Sequence, residues 1–122
     1  MPWLVLRAMV VFPSRLCFPL QGVRVRSSLV LLMKGRLVLG DGSWIGHQTM
    51  IVVGEAEVRI GSDAAIASRV LIVTGTHEVI IGGDRAAGRG LSNPVVIGNG
   101  VWVGANATIP GESEIGECSI VA

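Results

Sequence analysis

Read back from the C-terminus, Val121, Ile115, Ile109, Val103 and Ile97 are aliphatic at a strict spacing of six residues. Two places before each stand Ser119, Ser113, Ala107, Val101 and Val95, small or β-branched; one place after stand Ala122, Gly116, Pro110, Gly104 and Gly98. Six residues turn an α-helix by about 600°, which scatters these aliphatics over three faces and leaves no apolar stripe. On a strand, side chains alternate, so positions i and i−2 share a face and every sixth residue keeps it. The glycine and the small residue then mark where a short strand ends and the chain turns. Each such unit leaves an apolar face that only the next coil covers, so the spacing predicts a parallel β-helix.

The pattern continues upstream in two shifted registers, Val58/Ile60, Ala64/Ile66 and Val70/Ile72, and before them Leu37/Leu39, Ser43/Ile45 and Thr49/Ile51. Ile51 to Ile60 is nine residues, six plus three, which predicts a small corner insertion within Val53 to Glu57. Ile72 to Ile97 is 25, and the intervening stretch carries Gly82, Gly83, Gly88 and Gly90, so residues 78–93 are expected to form a protruding loop. Residues 1–22 show no period of six; 23–122 form the β-helix domain. Pro2 is placed to start a short helix that Pro13 ends. That helix has no polar face except Arg7, so the segment reads as an apolar and basic cap over the solenoid end or a subunit contact, with docking on an anionic membrane surface as the sharper alternative.

Composition sets the outer limits. In 122 residues half are apolar and 16% charged, which excludes a disordered chain and fits one domain. The net charge of +1 argues against a nucleic-acid partner. Its distribution is uneven: residues 1–40 hold six cations and no acid, and residues 41–122 hold four arginines and nine acids. Cys17 and Cys118 are too few for a disulfide framework and fit a reducing cytoplasm. No run approaches the ~20 apolar residues of a membrane-spanning helix.

Two further stretches stand out: Thr74-Gly75-Thr76-His77, and after the loop Pro94-Val95-Val96-Ile97-Gly98-Asn99-Gly100-Val101-Trp102-Val103-Gly104-Ala105-Asn106. With the repeats, from about Leu37 to Ala122, they resemble the hexapeptide-repeat acyltransferases, and within them the galactoside, maltose and colanic-acid O-acetyltransferase branch. The resemblance implies an all-β, left-handed parallel β-helix, a homotrimer, and acetyl transfer from acetyl-CoA to a hydroxyl of a sugar or similar small acceptor. It also implies that His77 is the general base. The chemistry suits an imidazole, which can take a proton from an alcohol and return it to the departing thiolate. A partner must hold its other nitrogen; Glu78 or a backbone carbonyl fits that role.

His47 falls where the resembled enzymes carry an asparagine that reaches the reacting centre across a subunit boundary. It is a candidate donor to the acceptor or the oxyanion beside His77 of a neighbouring copy, against the plainer reading of a solvated side chain. Trp44 and Trp102 each precede an aliphatic-Gly pair and should point outward. By resemblance Trp102, Gly104 and Ala105 line the pantetheine channel, with subunit packing as the alternative for Trp102 and the first reading for Trp44. Arg85 and Arg89 are candidates for CoA phosphates or an anionic sugar, or are solvated loop charges. No metal site is expected, since a three-histidine hydratase centre cannot be built from His47 and His77 alone.

Two departures stand against the resemblance. The chain stops mid-coil at Ala122, where family members continue, and Ile109-Pro110-Gly111-Glu112 replaces the family's aliphatic-Leu-Pro-Gly order. They leave a second hypothesis from another class: a shortened, catalytically weak or inactive solenoid with a structural or interaction role.

Overall fold

The computed structural model describes residues 10–12, 16–17, 22–26 and 28–122. Among them there is no helix. The chain winds through β3 (Arg24–Val25), β4 (Leu29–Met33) and β5 (Arg36–Leu39), then β6 (Trp44–Ile45), β7 (Met50–Val53) and β8 (Glu57–Ile60). A third coil contains β9 (Ala65–Ile66), β10 (Leu71–Val73) and β13 (Val95–Ile97), interrupted by β11 (Gly75–Val79) and β12 (Ala87–Ser92). A fourth has β14 (Trp102–Val103), β15 (Thr108–Pro110) and β16 (Glu114–Ile115), and β17 (Ile120–Val121) opens a fifth.

Corresponding strands of successive coils pair in parallel, giving a three-sided β-solenoid. Face one stacks β3, β6, β9, β14 and β17; face two β4, β7, β10 and β15; face three β5, β8, β13 and β16. The predicted columns run up its interior. Val25, Ile45, Ile66, Val103 and Val121 form one, Leu31, Ile51, Ile72 and Ile109 the second, and Leu39, Ile60, Ile97 and Ile115 the third. Ile45, Ile51, Ile66 and Ile72 are completely buried. Among the polar members of the i−2 positions, Ser113 and Ser119 are half-buried, and Ser43 and Thr49 are buried completely. Their hydroxyls donate to the Gly61 and Ala67 carbonyls of the next coil, at 2.6 and 3.0 Å, so burial leaves no orphan donor.

The glycines after the inward aliphatics do a different job from the one expected of them. A Cβ on Gly46 would stand 2.6 Å from the Ala67 carbonyl carbon and the Ser68 nitrogen; the constraint is the backbone of the coil above. Left-handed backbone occurs elsewhere, at Ser28, Gln48, Arg69 and Asn106 in the corner between faces one and two, and at Gly42, Asp63, Gly100 and Cys118 before face one.

Every departure from the period of six falls at one corner, between faces two and three. From Leu31 to Leu39 is eight residues, Ile51 to Ile60 nine and Ile72 to Ile97 twenty-five, whereas Ile109 to Ile115 keeps six. The largest insertion is an ordered antiparallel hairpin rather than a plain loop, and its first strand begins at Gly75.

At the other end of the solenoid β1 (Val10–Phe12) pairs antiparallel with β4, and β2 (Leu16–Cys17) with β3. A helix running to Pro13 is thus corrected at residues 10–12. The lower edge of β4 offers unpaired backbone groups, and Val10, Val11 and Phe12 are good strand formers. The rest of that expected helix, and the membrane-docking alternative attached to residues 1–22, lie outside the described residues. No helix among the described residues is long and apolar enough to cross a membrane.

Candidate active site

The hairpin carries His77. Across the ladder Gly75 faces Ser92 and His77 faces Gly90, with a register shift between His77 and Val79. Residues paired in this way share a face of the hairpin. The imidazole therefore leans over a strand of glycines: Nδ1 lies 3.0 Å from the Gly88 carbonyl, and a Cβ on Gly90 would stand 3.9 Å from Cε1. A carbonyl only accepts, so Nδ1 is assigned as the donor, and in that tautomer Nε2 is the nitrogen that can accept. Of the two partners open to His77 in the sequence, the backbone carbonyl is the one present. Glu78, the next residue along a strand, projects to the other side. Its Oε1 accepts from Arg89 Nη2 at 3.0 Å, so Glu78 and Arg89 balance one another on an exposed surface.

The hairpin is tied to the solenoid by two hydroxyls. Thr74, wholly buried, accepts from the Gly54 amide at 2.8 Å, and Ser92 Oγ accepts from the Ala56 amide at 3.2 Å. The two hydroxyl oxygens are 3.0 Å apart. Between the hairpin root and the enlarged corners of the two coils below runs a groove of about 500 Å³, lined among others by Met33, Lys34, Val53, Glu55, Leu91 and Ser92. Gly75 and Gly90, which share the His77 face, line it as well. Neither Thr74, although it opens the Thr-Gly-Thr-His stretch, nor Ser92 is singled out in the sequence as a site residue; the corner shared by the eight-, nine- and twenty-five-residue steps, which brings them together, emerges only from the strand pairing.

The other candidates lie on a different edge. Trp44, Ala65, Trp102 and Ile120 form one outward column on face one. Trp44 is half-buried beneath the Arg26 guanidinium, 5.9 Å from its ring centroid, while Trp102 is 54% exposed. Gly104 and Ala105 follow Trp102 at the corner between faces one and two. Exposed His47 occupies that same corner two coils lower, its carbonyl accepting from the Arg69 amide at 2.8 Å. One chain thus carries His77, Glu78, Arg85 and Arg89 on the hairpin, at the corner between faces two and three, and His47, Trp102, Gly104 and Ala105 along the face-one edge. Arg85 is exposed near the hairpin tip. Among the described residues no group of three or more His, Cys, Asp or Glu side chains could hold a metal ion.

No family model matches the chain, and no curated protein matches it. Among solved structures it is similar to the polySia specific acetyltransferase NeuO, at 24% identity and a TM-score of 0.63 over 82% of this chain and 52% of that one. The chain spans about half the length of that protein, and at this identity the likeness shows the fold: a parallel β-helix, as the strand pairing has it.

Proposed function

We propose that the protein is an O-acetyltransferase, moving an acetyl group from acetyl-CoA to a hydroxyl of a sugar or similar small acceptor, and that it works as a homotrimer. The observation that carries this is the exposed His77 imidazole, fixed through Nδ1 on the Gly88 carbonyl opposite Gly90, which lines the groove. A ring held in that tautomer is set to take the proton of an alcohol. Acetyl-CoA supplies the activated thioester. His77 receives the hydroxyl proton as the acceptor oxygen attacks, and returns it to the thiolate that leaves.

The division of the candidates between two edges supports a site made by two copies, the hairpin of one beside the face-one edge of the next. Val79 and Ile81 at the hairpin tip are 80% and 95% exposed, apolar area of the kind that subunit contacts cover. On the second copy, Trp102, Gly104 and Ala105 wall the channel for the pantetheine arm, and His47 donates to the acceptor or the developing oxyanion. The Arg89 charge is balanced by Glu78, so Arg85 is the stronger choice for the nucleotide phosphates. The test is thiol release from acetyl-CoA with a panel of sugars, wild type against His77→Ala. The proposal expects turnover that falls by about 10²- to 10⁴-fold in the variant. A folded wild type that neither binds CoA nor releases thiol contradicts it and favours the non-catalytic module.

A further inference from the structure

Charge is sorted along the solenoid. The first coil, residues 22–40, carries Arg24, Arg26, Lys34 and Arg36 and no acid; at the other end, residues 98–122 carry Glu112, Glu114 and Glu117 and no cation. Glu114 stands in the same outward column as Val38 of the first coil, three strand spacings or about 14 Å away. That exceeds the Debye length of about 8 Å at physiological salt, so the acidic end does not cancel the basic one.

The four cations form a belt at one level. Arg24 points out from face one, Arg26 stands at the corner between faces one and two, Lys34 at the corner between faces two and three, and Arg36 on face three. Arg24, Lys34 and Arg36 are exposed; Arg26 rests over the Trp44 ring and keeps its charge. Asp41 and Glu55 belong to the second coil, one level further from this end, and enter none of the ion pairs found among the described residues. Glu57, also of the second coil, lies 3.5 Å from Arg36 but is shared with Arg59 at 3.0 Å, so that trio keeps one net positive charge.

Below the belt lie β1 under β4 and β2 under β3, about 5 Å lower, and on face three β5 is the lowest strand among the described residues. Lys and Arg side chains are longer than that step, so their charged ends can pass it. In the sequence, residues 1–21 add Arg7 and Arg15 and no acid. A belt spread over three sides of one end is matched by a plane rather than a thread. A linear polyanion follows one face and meets one or two of these charges; a flat anionic surface laid across the end meets all of them. The apolar outward side chains of the coil, Val30, Leu32 and Val38, are half-buried, which favours adsorption at headgroup level over insertion. Four to eight clustered cations are what hold a segment on anionic lipid.

We propose that the basic end of the solenoid docks on an anionic phospholipid bilayer, with the solenoid axis upright and the acidic end turned away. The docking assigns the protein a place and is independent of the acetyl-transfer reading.

The experiment is co-sedimentation of the whole protein with vesicles of phosphatidylcholine alone and of phosphatidylcholine with about one-third phosphatidylglycerol. Binding is expected to the anionic vesicles only, and to weaken at least about tenfold between about 0.05 M and about 0.3 M salt. Each cation near such a surface strengthens adsorption about fivefold, so Arg24→Glu with Lys34→Glu is expected to weaken it at least about twentyfold. Arg24→Gln with Lys34→Gln, a milder pair, is expected to act in the same direction if charge reversal disturbs the thermal transition. Glu112→Lys with Glu114→Lys adds positive charge at the far end and is expected to leave the affinity within about twofold. Combining those two changes with the two Glu substitutions at the base restores the net charge and is expected not to restore binding. Sedimentation with neutral vesicles, no binding to anionic ones, indifference to salt, affinity unchanged in the base variants, or recovery in the combined variant would each overturn the proposal. Equally tight binding to duplex DNA at the same salt would do so as well, by making the belt a general polyanion site.

Discussion

At the scale of single residues, the motif singles out His77 as a candidate base and leaves two partners open for its ring, Glu78 or a backbone carbonyl; the choice between them was not legible. The Gly88 carbonyl is eleven positions away, and only the hairpin closure brings it to Nδ1. The neighbour in sequence, Glu78, was the obvious alternative and is turned away by strand alternation. The role of Thr74 was hidden for a similar reason: it opens the stretch that carries His77, but nothing marks it as an anchor until Gly54, from the coil below, points its amide at the hydroxyl. Thr74→Val keeps the shape and deletes that acceptor. It is expected to lower stability by about 1–3 kcal/mol in chemical denaturation, the cost of a buried unpaired amide. Gly46→Ala forces a Cβ against the backbone of Ala67 and Ser68, and is expected to cost about 1–3 kcal/mol by overpacking even though the backbone there needs no left-handed turn.

At the scale of elements, the period of six carried nearly all of the architecture. An inward column needs only the identity of every third pair of positions, and Ile45, Ile51, Ile60, Ile66, Ile72 and Ile97 all sit where the spacing put them. What spacing could not show was that the irregular steps share a corner, since Leu31 to Leu39 looks like an unrelated register until β5 is seen to pair with β8. Two predictions belong here. Ile51→Ala, within a column covered on both sides, should cost about 2–5 kcal/mol, and Ile115→Ala, only half-buried, clearly less by the same denaturation measurement. The hairpin contributes no residue to the buried core, so replacing residues 76–91 by a short turn should leave the cooperative thermal transition in place while thiol release is lost. Collapse of that transition would mean that the hairpin is structural.

At the scale of the molecule, the three-sided solenoid separates its chemistry-bearing residues. His77 leaves the prism at one corner; Trp102, Ala105 and His47 lie along another edge, and no flexing of short, stacked strands brings them together within one chain. Proximity of His47 to a His77 was readable only as an expectation about neighbouring copies. The proposed site is completed by symmetry, because each copy lends its hairpin to the next and receives one in return. Two inactive variants with lesions on opposite edges should then repair one another. His77→Ala removes the base; Ala105→Trp, at an exposed position, fills the channel wall. Co-expressed in equal amounts and assembled as mixed trimers, they should recover about a quarter of wild-type thiol release, the fraction of interfaces that inherit neither lesion. No recovery above the single variants, with the wild type active, would contradict a site shared between copies.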